Sequence, residues 1–206
     1  MLRKLYGIVS SGSVIGSFIA IVPITLAVGL IYAVYCIVKS RKSEAPAARG
    51  TGIMKFLFVL YLTGLANLTL VPPNLWTSVW ARIVVGYSSE RPAFFSGDFN
   101  FVPTFFGLIS GTLTAGRWIY TMLLFNFLMF VPFGFFLPFV SDKVNGKNIF
   151  LIAVAVPAVI EIIQPVIGRS FDTDDLILNF AGIIAGFFAA KAIRFLAGKA
   201  RKPSVK

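Results

Sequence analysis

Residues 14–38 read VIGSFIAIVPITLAVGLIYAVYCIV, a run without a single charge, preceded by Arg3 and Lys4 and followed by Lys39, Arg41 and Lys42. About 20 apolar residues suffice for a helix to cross the ~30 Å hydrocarbon core of a bilayer, and this run is longer. It exceeds the core of a signal peptide and lacks a small-residue cleavage pattern, so it reads as a membrane span that Pro23 is placed to kink. Four further apolar runs follow, at 54–71, 118–140, 149–167 and 176–196. The composition agrees, with 57% apolar, 15% aromatic and 13% charged residues and a mean hydropathy of +0.86. Soluble domains do not need that much hydrocarbon.

Between the second and third runs the pattern changes. Pro72 and Pro73 end the apolar stretch, after which Trp76, Val79, Trp80, Ile83, Val84 and Tyr87 recur at helical spacing. That spacing predicts an amphipathic helix too short to cross and rich in interfacial aromatics. The stretch GDFNFVPTFFGLISGTLTAGR, residues 97–117, reads as a loop dipping partway into the membrane, which irregular backbone does only where protein or water covers it. The expected fold is all-α: a polytopic transmembrane bundle of about five spans plus a short interfacial amphipathic helix. By segment, residues 1–52 form an amino-terminal span and basic linker, 53–197 the membrane domain, and 198–206 a basic tail.

The net charge of +11 arises from 19 basic and 8 acidic residues, and the basic ones cluster beside apolar runs. Membrane orientation accounts for them without nucleic acid. With the linker, the loop at 141–148 and the carboxyl tail in the cytoplasm, 13 of the 19 basic residues lie inside. The amino terminus is then outside, the carboxyl terminus cytoplasmic, and the turn between the last two spans faces outward. Cys36 is the sole cysteine and histidine is absent, which excludes internal disulfides, a histidine zinc site and a Ser/His triad.

That outward turn carries the candidate site. Residues 161–179 read EIIQPVIGRSFDTDDLILN, and polar groups at the ends of membrane spans are functional-site candidates because they are costly to place there. Glu161 and Gln164, three apart, share a helix face, and Pro165 frees a backbone carbonyl at the same depth. Asp175, Asn179, Gly182 and Gly186 form one face of the last span, the glycine pair being a small-xxx-small contact for another backbone. The amide of Asn179 is placed to bond a neighbour such as Asn126 of the third span. Asp172, Asp174 and Asp175 precede that last span, where acidic residues also serve simply as helix caps. Arg169 either neutralises one of these aspartates or grips a phosphate or carboxylate. Pro132 and Gly134 interrupt the third span, as a kink for packing or as the wall of a cavity.

These residues resemble the VanZ-like family of bacterial membrane proteins. The resemblance rests on NFLMFVPFGFFLP at 126–138, on EIIQ at 161–164, and on RSFDTDDLILNFAGIIAG at 169–186, with a weaker echo in NFVP at 100–103. It covers about residues 60–190, so 53–197 becomes a VanZ-like domain. It implies membership of a family associated with lowered susceptibility to glycopeptides such as teicoplanin, with no established reaction. Its matching positions here are Asn126, Pro132, Gly134, Glu161, Gln164, Arg169, Asp172, Asp175, Asn179, Gly182 and Gly186; Pro165 departs from its pattern.

Two functions are compatible with the cluster. In the first, Asn126, Glu161, Gln164, Arg169, Asp172, Asp175 and Asn179 bind a lipid head group, a cell-wall precursor or a lipid-tailed glycopeptide, without cofactor. In the alternative, the protein is a membrane enzyme acting on a lipid-linked substrate, with Glu161 as acid or base and Mg²⁺ or Ca²⁺ held by the aspartates. No nucleophile with an adjacent base supports the alternative. A transporter would use Pro132, Pro157 and Pro165 as hinges, but no inverted repeat accompanies them. The sequence does not fix the oligomeric state.

Overall fold

A computed structural model describes residues 1–41, 49–88, 91, 94–112 and 116–200. Residues 42–48 of the basic linker, 113–115 of the expected dipping loop and 201–206 of the basic tail lie outside the described residues. The described residues are mostly helical with almost no strand, and among them five helices are long and apolar enough to cross a membrane: Val14–Arg41, Gly52–Thr69, Ile119–Val140, Asn148–Ile167 and Thr173–Lys199. It divides into two units, residues 1–100 with 160–171, and residues 101–159 with 172–206.

The first unit opens with α1 (Leu2–Val9). Its Leu2, Leu5 and Val9 fall on one face by their spacing while Arg3 and Lys4 fall off it, and Val9 is buried. Reading Arg3 and Lys4 only as flanks of the first span misses this helix. A serine turn follows, in which Ser13 Oγ accepts from Gly16 N at 3.1 Å and so caps α2 (Val14–Arg41). A β-carbon on Gly16 would press on the carbonyl of Ile8, so the return from α1 to α2 requires glycine. α2 packs along α3 (Arg49–Thr69): Tyr32 stacks on Phe56, and Gly29 leaves room for Leu60. The expected amphipathic helix is α4 (Leu75–Val84), tethered to the first span by Trp80 Nε1 donating to Ala20 O at 3.1 Å. Val9, Ala20, Ile21, Leu65 and Ala81 form the apolar core of this unit.

The second unit is built on α6 (Arg117–Val140) and α8 (Thr173–Ala200), with α5 (Thr104–Ile109) preceding them. α7 (Asn148–Ile163) begins here and ends in the first unit. Glycines set the α6–α8 distance. A β-carbon on Gly134 would lie 2.7 Å from Ile183 C and 2.9 Å from Phe187 N, and one on Gly182 would press on Phe127 O and the Phe130 side chain. The backbones thus meet in direct contact, as small residues allow in lipid. Phe130, Ile183 and Phe187 fill the seam with no solvent exposure. Pro132 and Pro138 both lie inside α6, which continues through them.

Two further elements differ from expectation. The segment at 97–117 contains a two-residue strand, β1 (Phe99–Asn100), and the helical turn α5 in place of a featureless loop. The last span begins at Thr173, three residues before the apolar run, so that Asp174 and Asp175 lie inside its first turn. The reason is capping: Asp172 Oδ1 accepts from Asp174 N at 2.9 Å, which lets the helix start among acidic residues.

Candidate functional site

In the first unit the site is built on what two prolines leave undone. Pro72 and Pro73 stop α3, and the carbonyls of Thr69 and Val71 lose the amides that a continuing helix would supply. Residues 160–171 provide a substitute for the second of these, the carbonyl of Val71. Pro165 has no N–H for the Glu161 carbonyl, and α7 gives way to a 3-10 turn over Gln164–Ile167. Gly168 closes that turn in the left-handed region at φ 77°, where a β-carbon is strained. Arg169 N then donates to Gln164 O at 2.9 Å, and Arg169 Nε donates to Val71 O at 3.1 Å. A cation just past a helix carboxyl end also favours the helix dipole.

Glu161 is fully buried and Gln164 nearly so. One orientation of the Gln164 amide aims its nitrogen at Thr69 O, 3.5 Å away. Turned over, the nitrogen donates to Glu161 Oε2 at 3.0 Å and to Ser170 O at 3.1 Å, which are shorter bonds to more acceptors, one of them the carboxyl of Glu161. This second orientation is favoured on hydrogen-bonding grounds. It couples Glu161 and Gln164, which their spacing places on one helix face.

The segment after α4 holds this turn in place. Phe95 N donates to Val166 O at 3.0 Å, and Phe171 N donates to Asp98 O at 2.8 Å. Phe171 opens the two-residue strand β2 (Phe171–Asp172), and its ring stacks on that of Phe99 in β1. Gly97 lies so close that a β-carbon would fall 2.7 Å from Arg169 C and 2.8 Å from Pro165 Cα.

In the second unit the aspartates divide their work. Asp172 caps α8. Asp174, only 2% exposed, accepts from Thr104 N at 2.8 Å and from Phe105 N at 2.9 Å. It therefore caps α5, across 70 residues of sequence, and not the helix it belongs to. The sequence reading missed this role; its trace was the PTFF of residues 103–106, where proline precedes a helical start. Asp175 Oδ1 accepts from Asn126 Nδ2. The bond expected between Asn126 and Asn179 is replaced by this one, and Asn179 Oδ1, buried, has no hydrogen-bond partner among the described residues.

Beside these groups lies a cavity of about 450 Å³, walled by Phe105 and Leu108 of α5, Tyr120, Leu123 and Phe127 of α6, and Leu178 of α8 among others. Asp174, Leu178 and Ala181 follow at helical spacing on the cavity side of α8, while Asp175, Asn179, Gly182 and Gly186 follow on the side toward α6. By pinning α5, Asp174 fixes one wall of the cavity. Among the described residues no group of three His, Cys, Asp or Glu side chains lies close enough to hold a metal ion.

Of the seven expected ligand-binding residues, the first unit holds Glu161, Gln164 and Arg169, and the second holds Asn126, Asp172, Asp175 and Asn179. Contacts join Glu161 with Gln164 and Asn126 with Asp175. Pro132, Gly134, Gly182 and Gly186 lie in the α6–α8 pair. Neither a curated protein nor a solved structure matches the chain significantly. The sequence profile of VanZ/LLP1 matches residues 30–194, from the middle of α2 almost to the end of α8; with most of its length matched and five apolar helices, the chain is a multi-pass membrane protein of the VanZ/LLP1 family.

Proposed function

We propose that this protein binds a lipid-tailed envelope molecule, whether a membrane lipid, a lipid-linked cell-wall precursor or a lipoglycopeptide, and so lowers susceptibility to glycopeptides such as teicoplanin. The observation that carries the reading is the cavity of about 450 Å³ between α5, α6 and α8, whose walls are aromatic and aliphatic and whose helices also carry Asn126, Asp175 and Asn179. That volume falls in the range of small-molecule sites. In a bilayer its occupant is an acyl or prenyl chain, and the polar pair one helix face away suits the head of the same molecule. The distribution of basic residues favours an outward-facing position for this end, on the side where glycopeptides and cell-wall precursors are met. No cofactor enters this reading.

Leu124 lines the cavity and is 55% exposed, so Leu124→Trp fills the space without touching the core. Purified wild type is expected to retain teicoplanin more strongly than a glycopeptide without an acyl chain, measured by native mass spectrometry. Leu124→Trp should abolish that difference, and cells producing it should lose the protection that wild type confers. Asp175→Asn tests the head-group contact in the same two assays. Equal retention of both antibiotics by wild type, together with no co-purified lipid, would refute the proposal.

A further inference from the structure

The end of α8 away from the aspartates carries three basic residues. The helix has 28 residues and is about 42 Å long at 1.5 Å per residue, whereas the hydrocarbon core is about 30 Å thick. Counted from Thr173, the core ends about 20 residues on, near Ile193, and the rest of α8 passes through the head-group layer. Arg194 and Lys199 occupy that stretch and Lys191 lies at its boundary, and all three are exposed.

Each cation lies over an aromatic ring. Lys191 Nζ is 5.0 Å from the centroid of Phe187, the Arg194 guanidinium 4.6 Å from that of Phe139 on α6, and Lys199 Nζ 4.6 Å from that of Phe195. Helical side chains lean toward the amino end of their helix, so Lys191 and Lys199 reach back one turn toward the hydrocarbon instead of outward into water. A ring face offsets part of the lost hydration but accepts little from the N–H groups, which need anionic oxygen. At 100° per residue, the three cations and Phe187 and Phe195 fall within an arc of about 140° on one side of α8. The loop at 141–147 adds exposed Lys143 and Lys147, and the acidic residue of that loop is Asp142. At the depth of Lys191, the anions at hand belong to the bilayer itself.

We propose that Lys191, Arg194 and Lys199, held by Phe187, Phe139 and Phe195, seat the phosphate head group of an anionic phospholipid. The test exchanges the purified full chain into equimolar phosphatidylglycerol and phosphatidylcholine of identical acyl chains and counts retained lipids by native mass spectrometry. Wild type should enrich phosphatidylglycerol. Lys191→Gln and Arg194→Gln should each reduce the enrichment about fivefold, the factor that one basic residue near an anionic surface supplies, and Lys191→Arg should preserve it. Roughly tenfold more salt should weaken it. Phe139→Leu, which keeps every cation, should reduce it as Arg194→Gln does. Equal retention of the two lipids by wild type, unchanged enrichment in the Lys191→Gln/Arg194→Gln variant, or loss with Lys191→Arg would overturn the proposal. So would displacement of the lipid by inorganic phosphate, which would assign the site to a free anion.

Discussion

Replacing Gly186 by alanine should separate α6 from α8. A β-carbon there would lie 2.8 Å from Phe135 N and 2.9 Å from Val131 C, and closer still to Val131 O. Ordinary contact begins near 3.4 Å, so the helices must part by at least 0.6 Å at this point. The obstructing atoms are backbone, and no rotamer change relieves them. Overpacking of a tight core costs about 1–3 kcal/mol, and each close Cα–H contact to a carbonyl that is lost adds about 0.5–1 kcal/mol. Alanine recovers about 1 kcal/mol through its helix preference, leaving a net loss of about 2 kcal/mol. Gly198→Ala, on the same helix, meets nothing within 4 Å and should be neutral or stabilising by up to about 1 kcal/mol. Unfolding of the purified protein by SDS in mixed micelles reads both variants directly. If Gly186→Ala proved as stable as Gly198→Ala, backbone contact would not be what holds this helix pair.

Gly97→Ala should destabilise by about 1–3 kcal/mol, because its β-carbon would displace the chain at Pro165 and Arg169; hydrogen exchange at Phe171 N should quicken, and unchanged exchange would contradict the clamp. Asp174→Ala removes two backbone-to-carboxylate bonds and should cost about 1.5–3 kcal/mol, with faster exchange at Thr104 and Phe105; protection that persists would mean that α5 has another anchor. Asn179→Leu replaces an amide whose oxygen has no partner among the described residues, so stability should hold or rise by about 1 kcal/mol, read in the same SDS titration, and a large loss would reveal a structural bond.

Five spans and α4 were legible because each depends on a pattern internal to one segment: apolar length for the spans, helical spacing of Trp76, Trp80, Ile83 and Tyr87 for α4. Gly182 and Gly186 were legible for the same reason, their spacing placing them on one face. The polar contacts were not, since their partners lie far off in sequence and are often backbone. Arg169 bonds a carbonyl 98 residues away, for which the doubled proline at 72–73 was the only trace. Asp174 and Asp175 are neighbours of one type, yet one caps α5 and the other meets Asn126. Their 100° separation on α8 sends them to different elements, a distinction that needs the position of α5, a helix too short to announce itself.

Assigning each polar group its contact narrows where a ligand is to be sought. Arg169 supplies Val71 O, Gln164 couples Glu161 to the turn that follows, and Asp172 and Asp174 saturate helix amides. A ligand drawing on those four would have to compete with bonds that hold the fold, each worth about 1–3 kcal/mol when one partner is buried. The oxygen of Asn179 faces no such competition: buried, it bears the desolvation cost with no hydrogen-bond partner among the described residues. Asn179 lies one turn beyond Asp175 on α8, next to the residue Leu178 that walls the apolar cavity. Variation at Asn179 and Leu124 should therefore change ligand retention while leaving the fold intact, whereas variation at Arg169 or Asp174 should change both together.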